Sequence, residues 1–397
     1  MKILVADKVA NSMIKALEAL GVEVDYQPEV TVEDLPAKVG DMNVLIVRSK
    51  KVTAAVIEAG PQLALIVRAG AGINTIDVGA ASRRGVYVAN CPGKNTDAVA
   101  ELAIGLLIAG DRRIADAAAD LRIGKWRKKE YGKAQGLKDR TLGILGMGAI
   151  GRAVTSRAKG LGMNVIAWSN SLTPKQAKDL GVVRADSPLD VARASDAVSI
   201  HVAFKPETKR IVNKEFLDTM KDRAILVNTA RVEVIDTAAL KEAIMRKKLR
   251  VCLDVFDDEP GGGEAEFKDI DLAGLVTGTP HIGASTEQAE EAIAEEAVRI
   301  VKVFKRTGVP SNAVNVAART PATHALVIRH YNRVGVLAFV LDFLREDGIN
   351  VEEMENTIFD CGATACCTLR LDKPPSADMV ARLGKNENIM QVILEAI

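Results

Sequence analysis

Histidine is scarce in this chain, with four copies in 397 residues, so each one is worth placing. Cysteine is nearly as rare. Cys91, Cys252, Cys361, Cys366 and Cys367 form no C-x-x-C pair and no Cys/His spacing of a metal site. The expectation is no metal, and buried reduced thiols in a cytoplasmic protein. Neither sign of charge is in excess: 53 basic and 52 acidic residues leave a net of +1, which points to neither nucleic acid nor a membrane. Aromatic residues make up only 4%. The one basic stretch, 125–140, interleaves just Trp126 and Tyr131, too few to stack bases. No apolar run reaches the length of a bilayer span, and the first seven residues are too soon charged for a signal peptide. The length leaves room for two or three domains, each with its own core.

What is present is a glycine pattern in the right surroundings. Gly146, Gly148 and Gly151 form G-x-G-x-x-G between a strand-like run at 141–145 and a helix-like segment from Arg152. The first glycine suits a tight turn, the second lets backbone approach a pyrophosphate, and the third packs helix on strand. The amide groups of Ala149 and Ile150 then open a helix whose positive end faces the phosphates. One part is lacking. The acidic residue expected on the ribose is replaced by Ser169, at the end of the next strand.

The first ninety residues alternate strands (2–7, 22–26, 44–47, 64–67, 86–89) with helices (9–20, 54–59, 78–84). Leu-Ile-Val-Arg occurs at 45–48 and again at 65–68, which suggests neighbouring parallel strands. This open α/β domain has no glycine fingerprint of its own. A long apolar helix from about Asp97 to Ala119 leads to the fingerprint. Strands at 164–168, 197–202, 224–228, 251–256 and 275–278 then join 141–145 in a doubly wound parallel (Rossmann) sheet. A second long helix, 285–306, opens with Ser285 and Gln288 as a capping box and stops at Gly308. Two long helices bracket the nucleotide domain, so it reads as an insertion into a flavodoxin-like first domain. The expected division is 1–96 with 285–316, 97–284, a linker at 317–322, and 323–397. The last part reads β-α-β-β-α-β, the ferredoxin-like split motif.

In open α/β sheets ligands lie beyond the carboxyl ends of the strands. Three ionisable residues follow strands there: Arg231 in Asn228-Thr229-Ala230-Arg231, Glu259 in Asp257-Asp258-Glu259-Pro260, and His281 in Thr279-Pro280-His281. The set suits removal of hydride from a carbon bearing a hydroxyl. A histidine takes the hydroxyl proton, a carboxylate fixes its tautomer, and an arginine polarises the oxygen and forks onto a carboxylate.

Further motifs carry a resemblance. They are Val47-Arg48-Ser49, Arg68-Ala69-Gly70-Ala71-Gly72-Ile73-Asn74, Asn95-Thr96 with Val99-Ala100-Glu101, Leu253-Asp254-Val255-Phe256, and Pro280-His281-Ile282-Gly283-Ala284-Ser285-Thr286. With the fingerprint they run over nearly all of residues 1–316. Through them the chain resembles the D-isomer-specific 2-hydroxyacid dehydrogenases, most of all those acting on 3-phosphoglycerate. The resemblance implies NAD-dependent oxidation of 3-phospho-D-glycerate to 3-phosphohydroxypyruvate, the entry to serine synthesis. It implies Arg231, Glu259 and His281 as the catalytic trio. Thr229, Ala230 and Ser169 would line the cofactor, with Asp254 at the nicotinamide carboxamide. Ala71, Gly72 and Asn74 would meet the substrate carboxylate, and Arg48, Ser49 and Asn95 the phosphorylated end. Lys128 would reach that phosphate across a subunit boundary of a homodimer or homotetramer. The tail resembles an ACT domain, in which His330, Asn332 and Asn350 match positions that bind L-serine as an effector between paired domains.

Four departures stand against the family pattern. Val232-Glu233 replaces two glycines after the arginine. Glu290 replaces glutamine near the phosphate, where a carboxylate repels a dianion unless it points away. Val334 replaces a proline in the tail. Ser169 removes the main barrier to NADP, so NADP stays open beside NAD. An unphosphorylated substrate, as in a hydroxypyruvate or glyoxylate reductase, is the alternative that Glu290 and Ser169 favour. A dinucleotide-sensing binding protein is the alternative from another class.

Overall fold

A computed structural model describes residues 1–260 and 265–397, which fall into two compact units, Met1–Asn315 and Val316–Ile397. Short runs of β-branched and leucine residues build the first sheet. Its strands are β1 (Lys2–Val5), β2 (Glu23–Tyr26), β3 (Val44–Val47), β4 (Leu65–Arg68) and β5 (Tyr87–Asn90). They are all parallel, in the order β2-β1-β3-β4-β5, which is the flavodoxin-like arrangement. The repeated Leu-Ile-Val-Arg segments pair with an offset of one residue, Leu45 with Ile66 and Val47 with Arg68. Buried on both faces, β3 reads as an unbroken apolar run.

The second sheet holds β6 (Thr141–Leu145), β7 (Asn164–Trp168), β8 (Val183–Arg184), β9 (Ala197–Ile200), β10 (Ile225–Asn228), β11 (Arg250–Leu253) and β12 (Thr277–Gly278). Its order is β12-β11-β10-β9-β6-β7-β8, again all parallel, so β6 lies where the strand order reverses. This is the doubly wound dinucleotide topology, and the fingerprint sits at its switch point. The two-residue strand β8 escaped the sequence reading, being too short to show a period.

Both long helices tie the sheets together. The helix Thr96–Arg112 buries Ala100, Ala103, Leu106 and Leu107 against the second sheet. The helix Glu287–Thr307 returns to the first, with Ile293, Ala297, Ile300 and Val301 packed beside Ile3, Val44 and Leu65. Asn315 closes the return by accepting the Val88 amide hydrogen bond at 2.8 Å.

Several expected boundaries shift. The helix expected over 97–119 is broken at Arg113, whose φ of 52° is left-handed; a separate helix, Ile114–Arg122, follows and buries none of its residues. The side chain of Arg113 bonds Asp116 and Glu130 instead, so the second helix leaves the body as an arm. The helix cap is Thr286, not Ser285: Thr286 Oγ1 accepts from Ala289 N at 3.1 Å, while the Ser285 amide is spent in a turn to Ile282 O. With Ala289 in the third helical position, no capping box forms. The expected strand 251–256 ends at Leu253, because its neighbour β12 is only two residues long. Leu275, expected in that neighbour, ends the helix Ile270–Leu275.

The C-terminal unit contains β13 (His324–Tyr331), β14 (Val351–Ile358), β15 (Thr364–Leu371) and β16 (Ile389–Ala396), antiparallel in the order β14-β15-β13-β16. The helices Val336–Glu346 and Ala377–Leu383 cover one face through Val340, Leu344, Met379 and Leu383. That is the ferredoxin-like split motif the sequence indicates. No helix among the described residues is long and apolar enough to cross a membrane.

Candidate active site

The fingerprint turn takes the shape its glycines allow. Gly146 has φ +99°, and a Cβ there would lie 2.6 Å from the His201 carbonyl. Its amide donates to Trp168 O at 2.8 Å, drawing the turn toward the end of β7. A Cβ on Gly151 would overlap the Gly146 carbonyl, so helix and strand meet at backbone contact. Gly148 differs: nothing lies within 4 Å of where its Cβ would be. It caps the helix Ala149–Gly160 without a side chain, leaving the amide end that includes Ala149 and Ile150 open. One wall of the cradle is closed and the other is clear, which fits a pyrophosphate.

The four histidines separate by environment. His201 is half-buried, with a buried Nδ1; burial pushes its pKa down to about 3, and Nε2 lies 2.8 Å from Ser199 Oγ. His324 and His330 belong to the C-terminal unit. His281 alone stands half-exposed at the carboxyl ends of the second sheet. Its Nδ1 lies 2.6 Å from Glu259 Oε2, while Glu259 Oε1 accepts from Phe256 N at 2.9 Å. Burial raises the Glu259 carboxyl, but the His281 bond, the Phe256 amide and the nearby charges of His281 and Arg231 outweigh it and hold it below its ordinary value. A charged Glu259 on Nδ1 keeps the proton there and leaves Nε2 to accept one. Both residues form part of the wall of a cavity of about 450 Å³, with Phe256, Phe267 and Thr279.

His281 has φ 52°, an uncommon conformation for a side-chain-bearing residue and one that clusters at functional sites. Asp254 explains how the loop holds it. This residue is 1% exposed; its Oδ1 accepts from Thr279 Oγ1 (2.7 Å) and Ile282 N (2.8 Å), and its Oδ2 from Gly283 N (2.9 Å). Burial raises its pKa, and the three donors only partly oppose that. Asp254, expected at a carboxamide, thus also anchors the loop that carries His281.

Arg231 follows β10 in a turn pinned by buried Asn228, which donates to Arg231 O at 2.8 Å and accepts from Ala230 N at 3.0 Å. A Cβ added at Gly72 would lie 2.5 Å from Arg231 Nη2 and 3.2 Å from Asn74 Oδ1. The two sheets therefore bring Arg231, Gly72 and Asn74 to one point. Ala71 is fixed from behind, its carbonyl accepting from Asn90 Nδ2 at 2.6 Å. Thr229 leaves a buried hydroxyl without a partner beside this turn.

Arg68 is the residue the sequence reading named in a motif but gave no role. Its Nε is buried and unpartnered, and its pKa falls to about 10 through burial first, then through the charges of Arg231 and Arg48. Three guanidinium groups thus share one region. The signal was the second Leu-Ile-Val-Arg: paired strands place Arg48 and Arg68 at neighbouring ends.

Other expected residues fare differently. Arg48 is engaged, with Nη1 2.9 Å from Glu290 Oε1. Ser49 gives its amide to Asp7 Oδ2 at 2.9 Å. Asn95 caps Thr96–Arg112 through its backbone position, its side chain making no cap bond. Ser169 lies half-buried just past the end of β7, its Oγ 3.5 Å from Ser171 Oγ. Arg184 reaches the same loop through Nε to Leu172 O at 3.0 Å, a neighbour hidden in sequence by the unrecognised strand β8. Lys128 sits in the exposed arm beside Trp126 and Leu121, and no ion pair joins it to the cleft among the described residues.

The three tail residues do not converge within one chain. His330 is 1% exposed, with Nδ1 at 2.8 Å from Tyr331 O and Nε2 at 3.2 Å from Asn356 Oδ1, so its ring is used inside the unit. Asn332 bonds Gly362 O at the hairpin end of the sheet. Asn350 lies at the opposite end, its amide on Asp372. The alternation of β13 puts His330 on the inward face with Leu326 and Ile328.

Comparison with known proteins agrees with this geometry. Residues 104–283 match the family model described as the NAD-binding domain of D-isomer specific 2-hydroxyacid dehydrogenases. A D-3-phosphoglycerate dehydrogenase of Methanocaldococcus jannaschii is 40% identical over 320 residues, covering 80% of this chain and 60% of that protein. A hydroxypyruvate reductase of Thermotoga maritima is 41% identical over 306 residues, covering 76% of this chain and 96% of that protein. The crystal structure of NAD+-bound 3-phosphoglycerate dehydrogenase from Entamoeba histolytica superimposes with a TM-score of 0.66 at 29% identity, over 80% of this chain and 99% of that one. Such identity across nearly the full length of a relative leaves one assignment: the chain belongs to the D-isomer-specific 2-hydroxyacid dehydrogenase family, with the family's NAD-binding domain.

Proposed function

We propose that this chain oxidises 3-phospho-D-glycerate at its 2-hydroxyl with NAD. The observation that carries the reading is the gathering of Arg48, Arg68 and Arg231, a positive well suited to a small acid charged at both ends. NAD, when bound at the Gly148 cradle, supplies the hydride acceptor. His281 Nε2 takes the hydroxyl proton, and Glu259 holds the resulting imidazolium. Arg231 grips the carboxylate beside Gly72 and Asn74 and polarises the reacting oxygen. Arg68 and Arg48 face the phosphorylated end, with Ser49 and Asn95 at its rim.

The arm supports a homodimer or homotetramer as the working form. Ile114, Leu121, Ile123 and Trp126 are 50%, 57%, 66% and 79% exposed, an apolar set that a second copy would cover while receiving Lys128 at its own cleft. The tail enters as an ACT-type module. Asn332 and Asn350 are exposed at opposite ends of its sheet, so they meet one L-serine only where two copies pair.

A second reading, reduction of hydroxypyruvate or glyoxylate, is favoured by the Arg48–Glu290 pair, which neutralises the cation at the phosphate end. Steady-state rates with 3-phosphoglycerate, glycerate, hydroxypyruvate and glyoxylate, each with NAD and NADP, separate the two. The first reading expects kcat/KM for 3-phosphoglycerate to exceed that for glycerate by at least tenfold; parity would establish the second.

A further inference from the structure

The amino ends of the second sheet carry a site unrelated to the cleft. A cavity of about 260 Å³ opens there, lined by six cations, Arg112, Arg113, Lys133, Arg140, Arg223 and Arg250, against two carboxylates, Asp111 and Glu130. Arg140 directly precedes β6, Arg223 stands two residues before β10, and Arg250 opens β11. Arg231 and Asp254 follow the opposite ends of β10 and β11, so the height of the sheet separates this cavity from His281.

The carboxylates are already committed. Asp111, 2% exposed, accepts from Gly136 N at 3.0 Å and Arg140 Nη1 at 3.1 Å. Glu130 is bound to Arg113 at 2.6 Å. Arg250 is anchored on the Asp111 carbonyl. Arg112, Lys133 and Arg223 have no ion pair among the described residues, and they face a space already positive. Like charges brought together without a partner repel, and a bound anion relieves that cost.

We propose that this cavity binds a small polyanion carrying two or more phosphate or carboxylate groups. One source of cations is the arm and its root, Arg112, Arg113 and Lys133; the other is the base of the sheet, Arg140, Arg223 and Arg250. A single charged group could satisfy one side only. A ligand with two separated anionic ends bridges both and clamps the arm to the body.

The test is calorimetric titration of the full chain with pyrophosphate in the presence of saturating NADH, which keeps the probe out of the nucleotide cradle. A site is expected that weakens at least tenfold in Arg112→Ala and in Arg223→Ala, distinct from any uptake by the substrate well, and that weakens with added salt in the wild type. A parallel titration with citrate distinguishes phosphate from carboxylate ligands, and binding of either supports the site. Absence of binding by both probes overturns the proposal, as does an affinity unchanged in both variants. Binding is read without turnover, so an error about the substrate leaves this result intact. Both substituted side chains are exposed and outside the catalytic set, and wild-type NADH oxidation rates in the variants verify that they fold.

Discussion

Arg48 and Glu290 form an ion pair across the rim of the cleft, with Nη1 2.9 Å from Oε1 and both side chains about one-third exposed. The carboxylate that departs from the family pattern does not point away. It occupies the arginine proposed to meet a substrate phosphate. A partly exposed pair of this kind is worth about 0.2–1 kcal/mol, so a dianion can displace it at modest cost. Glu290→Gln releases Arg48 and should lower KM for 3-phosphoglycerate by up to about fivefold, with kcat and the KM for glycerate unchanged. An unaltered KM would remove Arg48 from phosphate binding.

The Glu259–His281 contact makes a pH prediction. A carboxyl held below its ordinary value remains charged until the pH falls through that lowered value. Glu259 therefore keeps its charge, and its hold on His281 Nδ1, well into the acid range. Glu259→Gln removes the negative partner of the imidazolium. The acid limb of kcat/KM should change position, and kcat should fall by about a hundredfold or more. Steady-state profiles from pH 5 to 9 check both; a limb that stays in place would separate Glu259 from the proton transfer.

Asp254 separates loop support from chemistry. Asparagine keeps one acceptor for Thr279 and Ile282 but turns an amide group toward the Gly283 N–H. A buried donor left unsatisfied costs about 1–3 kcal/mol. The same exchange relieves the burial of a charge, since the carboxyl's raised pKa means that ionising it costs stability as the pH rises above its unfolded value. Asp254→Asn should therefore show a small change in Tm but a kcat loss of at least tenfold, because the left-handed His281 depends on that loop. Equal Tm and equal kcat would show that the loop holds its shape unaided.

Much of this was legible because it rests on local rules. The fingerprint, the strand-end trio and the split motif of the tail all show in residue spacing, and each lies where that spacing implies. What stayed hidden was decided by partners distant in sequence. The break at Arg113 is accompanied by a bond to Glu130, 17 residues on. The three donors that Asp254 holds come from a loop 25 or more residues onward. The bond on the His330 ring comes from Asn356, on a strand that reaches β13 only through β15. Arg68 was passed over for the same reason, since its neighbours Arg48 and Arg231 lie on other strands.

The three fingerprint glycines should respond differently to the same methyl group. At Gly151 the added carbon meets the Gly146 carbonyl, and neither backbone can yield without separating helix from strand. Gly151→Ala should lower Tm by several degrees, the range expected for overpacking that costs about 1–3 kcal/mol. At Gly146 the φ of +99° adds backbone strain to a 2.6 Å contact with His201, so alanine there should be at least as damaging. Gly148 has ordinary backbone angles and open space around its missing side chain. Gly148→Ala should keep the wild-type Tm yet bind NADH at least tenfold more weakly, because the methyl occupies the approach of the pyrophosphate. Fluorescence titration with NADH beside a melting curve tests the contrast. If Gly148→Ala binds NADH as the wild type does, the phosphates lie elsewhere and the cradle is only a turn.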